Sequence, residues 1–446
     1  MRTTLRLLAI HSLVLMLAGA ASARTRPHYG GTLRVEHSGS TDSAASVAFV
    51  IETMTSVDRF GRVQPLLAER WEEQSGGRRW QFWLRANVRF NDGKALTGAD
   101  VAQVLGPKQG APWRSVRASG STVIFECDDR QTLLPALVSL PQYAISKTDS
   151  SGSLIGTGPL RQVSLSGGTT KLTAFDDYWQ GRPYVDAVEI GVGRGVRDQW
   201  MDLSVARADV VEVPSEQIRR AQQERMRVLA SQNMELIALV PSPSSQLLQD
   251  VRMRQAIAVA IDRNALLNVI FQRQGEIAAG ILPNWMTGYD FLFATPQDMS
   301  LARDLRVQAR QSGAITITYE SGDGIQQLLA DRVVLNARDA GIAMQAVPRR
   351  AEIQGDVNLV RISAVSTNPG VALQEITSSI LPGSVNVAES DMDDLFRNER
   401  DLLASYRVIP LLYIPRAFGA SARVRNWTLD VNGAPNLTEF WVEDRR

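Results

Sequence analysis

The chain has 446 residues, with 48 Lys and Arg against 47 Asp and Glu and a formal charge of +1. That balance, with no basic tract, argues against nucleic acid or an anionic membrane surface as the main partner. A single cysteine, Cys127, excludes an internal disulfide and a thiolate metal cluster.

The elements begin with a secretion signal. Arg2 and Arg6 precede a mostly apolar run over residues 7–17, and Ala21-Ser22-Ala23 has the small residues of a cleavage site. The run is shorter than the roughly 20 apolar residues a membrane span needs. Cleavage after Ala23 removes Arg2 and Arg6, which leaves 46 basic and 47 acidic residues, a charge near −1. Arg24, not cysteine, follows the cut, so the mature protein is expected in the periplasm without a lipid anchor. The remaining length exceeds what one core usually covers, and two lobes are expected.

The first strand is expected at residues 29–35, where Gly30-Gly31 precedes the alternation of Leu33 and Val35. Residues 44–54 read as helix. Trp80, Phe82 and Leu84 alternate with polar neighbours, and Asn91-Asp92-Gly93-Lys94 makes a tight turn. Thr97 with Asp100 predicts a capping box. Residues 106–113 read as a loop, residues 123–127 as a strand that packs Cys127, residues 154–159 as a turn, and residues 172–175 as a strand.

Asp250 should cap a helix whose apolar face is Met253, Ala256, Ile257, Ala260 and Ile261. Asp262 should cap the next, over residues 265–271, with Gly275 beyond its end. Ile315 and Ile317, then Ile325, Leu328, Leu329 and Val333, then residues 342–347 predict strand, helix and parallel strand. Hairpins dominate the first half and α/β units the second, so the expected fold class is α/β with mixed sheets in two lobes.

Catalytic motifs are missing from the sequence. Only His28 and His37 remain after cleavage, and there is no H-E-x-x-H, no phosphate-binding P-loop and no nucleophile elbow. Neither an enzyme nor a metal or cofactor site is expected. Asp391-Met392-Asp393-Asp394 lacks the glycine of a calcium loop, with Phe396 at that position, and fits the first turn of a helix better.

Six stretches, in order, resemble one family. They are Tyr29-Gly30-Gly31-Thr32-Leu33-Arg34-Val35; Pro65-Leu66-Leu67-Ala68-Glu69-Arg70-Trp71; the block from Trp80 through Val101; Gly156-Thr157-Gly158-Pro159; Tyr178-Trp179-Gln180-Gly181-Arg182-Pro183; and Arg254-Gln255-Ala256-Ile257 with Ala260-Ile261-Asp262-Arg263. The chain resembles the extracytoplasmic solute-binding proteins of the peptide, dipeptide and nickel type, family 5. The resemblance implies two α/β lobes joined by a hinge, a solute enclosed between them, and delivery to the permease subunits of an ABC importer. It implies a first lobe over about residues 24–238 with 409–446 returning to it, and a second over about 239–408, in a monomer. A degenerate member that senses or scaffolds instead of transporting is the alternative, favoured by a short segment between Val101 and Gly156.

In peptide-binding members the stretch matching residues 362–369 carries an aspartate for the ligand's ammonium group, near an aromatic residue. Ile362-Ser363-Ala364-Val365-Ser366-Thr367-Asn368-Pro369 has neither. A buried ammonium without a counter-charge is costly, so a modified peptide, an oligosaccharide-like molecule or another mostly uncharged solute is expected. Ser363, Ser366, Thr367 and Asn368 from the second lobe, with His37, Ser38 and Ser40 from the first, are the expected hydrogen-bonding residues.

Overall fold

The structure is a computed structural model. It describes residues 27–39, 47–107, 111–166, 168–288, 296–309, 313–352, 355–383, 392–431, 433, 435–436 and 439–443.

In chain order, the first half contains strand β1 (Thr32–Glu36) and the hairpin β2 (Thr55–Val57) and β3 (Val63–Pro65). Next come β4 (Ala68–Gln74), β5 (Arg79–Leu84), helix α1 (Gly98–Val104), β6 (Ser115–Ser119) and β7 (Thr122–Glu126). It continues with β8 (Leu160–Ser166), β9 (Thr169–Ala174), β10 (Ala187–Gly191), α2 (Val196–Ser204) and β11 (Val210–Val213). The long strand β12 (Arg227–Pro241) leads to α3 (Val251–Ala260), β13 (Glu276–Ile277), α4 (Met299–Ala309) and β14 (Ile315–Tyr319). After α5 (Gly324–Asp339) come β15 (Met344–Pro348), β16 (Val357–Ser363), α6 (Pro369–Ile380), α7 (Met392–Ala404) and β17 (Ile409–Ala420).

Most of these strands join one eleven-stranded sheet in the order β8-β9-β10-β1-β11-β17-β12-β16-β14-β15, with β13 beside β17. β12 and β17 are the two strands common to both halves. Arg227 to Ala230 of β12 pair with Ala420 to Ala417, and Glu235 to Leu239 pair with Ile414 to Ile409. The register shifts between Ala230 and Glu235, the kind of irregularity that bends a strand.

Beyond that bend β12 is apolar on both sides. Ile237 and Leu239 join a core with α3, α4 and α5, while Leu236, Ala238 and Val240 join another with α6 and α7. A strand covered on both faces reads as a continuous apolar run, as residues 236–240 do. The first half has its own core around Leu33, Val188, Ile190 and Val210. The separate sheet β4-β5-β7-β6 packs Trp80, Phe82 and Leu84 with Val123 and Phe125.

Local signals are realised closely. Thr97 accepts from the Asp100 amide at 3.2 Å and Asp100 accepts from the Thr97 amide at 2.9 Å, which completes the capping box. Asp250 and Asp262 each cap their helices at 2.9 Å. The strand–helix–strand unit is β14, α5 and β15, with the strands parallel from Ile315 opposite Met344 to Tyr319 opposite Pro348.

Three expectations need correction. Of the helix expected over residues 44–54, the described part is helical only at residues 47–48, and Glu52 then pairs with Ile145 in a β-bridge. The reason lies far away in sequence: the backbones of Gly156 and Gly158 press against Phe49 and Val50, where a Cβ on Gly156 would lie 2.0 Å from the Val50 oxygen. Residues 265–271 leave the α-form after Ala265, and residues 266–270 widen into a π-turn. Within the expected turn at 154–159, residues 154–156 form a short strand that pairs with residues 146–148.

Candidate functional site

β1, β10 and β11 are mutually parallel in the first half, and β14, β15 and β16 in the second. The C-terminal ends of β11 and β16 both reach the crossing. Val213 lies opposite Ala417, and Ser363 lies opposite Glu235, which in turn faces Ile414. In open α/β sheets, ligands bind outside the carboxyl ends of such strands.

On the first-half side, His37 follows β1. Its Nε2 lies 3.0 Å from a Glu212 oxygen, and its Nδ1 accepts from the Gly39 amide at 2.8 Å. The Nε2 N–H donates to Glu212. The Ser38 amide donates to the other Glu212 oxygen at 2.7 Å. Burial pushes the Glu212 carboxyl up, but hydrogen bonds and charge from His37, with help from Ser38, outweigh it and bring the group down to about 2.

Its neighbour Glu36 goes the other way. Burial first, then the adjacent Asp202 carboxylate, raise Glu36 to about 7, and Arg194 opposes them. Arg194 pairs with Asp202 and stands 4.0 Å from Glu36. The Oε2 of Glu36 is buried and has no hydrogen-bond partner among the described residues.

Across the crossing, Arg361 on β16 is 2.6 Å from Glu235. Burial works against the Arg361 charge, yet Glu235, Glu216 and Asp323 together hold it more firmly protonated. Glu216, two residues beyond Pro214 at the end of β11, belongs to the first half. Burial raises it, and Arg361 partly offsets the rise. Glu216 and Arg361 thus interact between the two halves. Ser215 bonds the crossing strand β17, its hydroxyl donating to the Pro415 oxygen at 2.6 Å.

The residues expected to contact solute fall into three places. His37 and Ser38 sit together on Glu212, at the end of β1. Ser363 sits at the end of β16 with a buried hydroxyl that has no hydrogen-bond partner among the described residues. Ser366, Thr367 and Asn368 form the entry to α6 and engage the protein itself. The Ser366 amide donates to Glu375 at 3.0 Å, and its hydroxyl accepts from the Asn368 amide at 3.1 Å. The Thr367 hydroxyl donates to the Asp58 oxygen at 2.7 Å. Asn368 caps α6 by accepting from the Val371 amide at 3.2 Å and donates to the Gly61 oxygen at the same distance. Ser40 lies outside the described residues.

Sequence reading missed Glu212, Glu216, Glu235 and Arg361. One signal was available for three of them: a charged side chain inside an otherwise apolar strand, as in Val210-Val211-Glu212-Val213, Met234-Glu235-Leu236 and Leu359-Val360-Arg361-Ile362.

A sheet that runs through both halves on two crossing strands, with charged groups gathered at the crossing, is the architecture of a two-lobed periplasmic binding protein. The oligopeptide-binding protein AppA from Bacillus subtilis, solved with a nonapeptide, has a TM-score of 0.78 to this chain at 18% identity, covering 94% of this chain and 100% of that one. NikA from Staphylococcus aureus, solved with Ni(L-His)2, has a TM-score of 0.79 at 16% identity, covering 92% and 100%. Over residues 62–379 the chain matches the bacterial extracellular solute-binding proteins, family 5 Middle, and it belongs to that family.

Among curated proteins, it is 22% identical over 300 residues to the oligopeptide-binding protein AppA of Bacillus subtilis, covering 58% of this chain and 55% of that protein. It is 25% identical over 299 residues to the dipeptide-binding protein of Escherichia coli, covering 57% and 56%. The chain therefore spans about half the length of these curated relatives.

Proposed function

We propose that this chain captures a small solute between two lobes and delivers it to the membrane permease of an ABC importer. The first lobe takes in about residues 24–238 with 409–446 returning to it, and the second about residues 239–408. The observation that carries this reading is the convergence of parallel-strand ends from both halves on the β12–β17 crossing. A solute that touches both lobes stabilises only their closed arrangement, so hinge closure accompanies binding.

The chemistry is reversible binding without turnover, by a monomer working in the periplasm without a lipid anchor. The relatives named for oligopeptides and dipeptides favour a peptide-like solute. The stretch at 362–369 has no carboxylate of its own, which favours a modified peptide or another small compound that does not place a free ammonium there.

Native mass spectrometry of gently purified protein should identify a retained solute. Small-angle scattering with and without that solute should then give a smaller radius of gyration for the complex. Solute at 100 times its dissociation constant should also stabilise the fold by roughly 2.7 kcal/mol. An unchanged radius at saturation would overturn closure.

A further inference from the structure

A cavity of about 540 Å³ lies on the second half of the sheet, away from the crossing. It is lined by Ser242, Glu320, Arg349, Arg350, Gly355 and Asn358. Asn358 is paired with Val240, five positions along β12 from Glu235. At about 3.4 Å per residue, this places the cavity roughly 17 Å along the strand from the crossing.

The walls are held in place. The Arg349 amide donates to the Tyr319 oxygen at 2.7 Å, and its guanidinium reaches Glu320 and the Leu359 oxygen, each at 3.3 Å. Gly355, just before β16, lies tight on the sheet, since a Cβ there would stand 2.6 Å from the Thr318 methyl carbon. The Thr318 hydroxyl donates to the Asn358 side-chain oxygen at 2.7 Å, which occupies that oxygen and leaves the amide nitrogen as the donor of this lining side chain.

The balance of the lining is cationic. Two guanidinium groups face one carboxylate, and Glu320 is already engaged by Arg349. Arg350 forms no hydrogen bond or ion pair with any described residue, although it lines the same cavity. A planar guanidinium beside an amide donor suits an oxyanion, because both oxygens of a carboxylate or phosphoryl group can be bound at once.

We propose that this cavity is a binding site for a small oxyanion, a carboxylate or phosphate, held by Arg350 and Asn358 with Arg349 behind them. The site is separate from the solute site between the lobes and does not depend on that assignment.

Titration calorimetry on the full chain, with inorganic phosphate and with succinate as probes, tests the proposal. At least one probe should bind saturably, and the preferred probe distinguishes a phosphoryl from a carboxylate ligand. R350E should weaken binding by at least about tenfold, the loss of a charge-assisted pair. E320Q should tighten it, because a competing carboxylate is removed. R306E makes the same charge change on the exposed face of α4 and should leave binding unaltered. If neither probe binds saturably, or if R350E and R306E weaken binding equally, the proposal fails. Circular dichroism of each variant separates lost binding from lost fold.

Discussion

The Thr367 hydroxyl donates to the main-chain oxygen of Asp58, joining positions 309 residues apart. The same contact includes the Asn368 amide on the Gly61 oxygen, and Val371 one turn further on, which enters the core of the small sheet β4-β5-β7-β6. The start of α6 is therefore built into the first half of the molecule while its end packs with α7.

This contact predicts how three substitutions behave. T367A removes one part-buried hydrogen bond and should lower stability by about 1 kcal/mol. N368A removes a helix cap as well and should lower it by about 1–2 kcal/mol. G61A should also destabilise, because Gly61 has φ +78° and a Cβ would lie 2.9 Å from the Thr367 oxygen. Urea unfolding of each variant measures these losses. Wild-type midpoints for T367A and N368A together would contradict the structural role described for them.

Glu399 supplies a pH prediction. It is almost wholly buried, accepts from the Ile281 and Leu282 amides, and is raised by burial to about 7. Tyr413 is a titratable neighbour, and its hydroxyl donates to the Gly280 oxygen. An unfolded glutamate ionises near 4.5, so between that pH and about 7 the folded state holds a proton that the unfolded state has lost. The stabilising contribution is complete below pH 4.5 and is lost as pH rises through 7. The loss is on the order of 3 kcal/mol at most. E399Q should flatten this part of the profile, measured by denaturation between pH 5 and 8. A variant profile parallel to wild type would exclude Glu399 as its source.

Glu212 predicts the opposite slope. Its pKa is depressed to about 2 with His37 as partner, so its contribution is present above the unfolded value and lost as pH falls towards 2. H37A removes the partner and should move the midpoint of acid unfolding to higher pH. An unmoved midpoint would mean that the pair adds nothing to the fold.

A fourth prediction concerns Glu52, a buried carboxylate that accepts from the Tyr178 hydroxyl at 2.7 Å and from the Trp179 indole at 3.1 Å. Y178F should destabilise by about 1.5–3 kcal/mol, the range for a hydrogen bond to a charged group. E52A should cost more, since it leaves both donors buried without an acceptor. Chemical denaturation of the two variants gives the ranking, and the reverse order would refute it.

What could be read from sequence follows the distance over which each interaction acts. The Thr97, Asp250 and Asp262 caps were legible because donor and acceptor are two or three residues apart. The α3 face and the β14–α5–β15 unit were legible through their periodicity. The stretch at 44–54 was misread because its neighbours, Gly156 and Gly158, are more than a hundred positions away. The bonds of Thr367 and Asn368 to a turn three hundred residues upstream are hidden in sequence for the same reason. Glu216 and Arg361 come within electrostatic reach of each other only after both halves have formed.

The path of β17 also bears on the order in which the chain can fold. Its last residues, Ala417 to Ala420, pair with β11, and Trp427, Phe440 and Val442 pack into the core built around Leu33. The amino-terminal half therefore lacks part of its own interior until the carboxyl terminus has been made. Chains ending at residue 408 should leave β1 and β11 with exchange-labile amides, and only lengthening past Val442 should protect them. Nascent chains of intermediate length would then remain open to chaperones and proteases for most of synthesis.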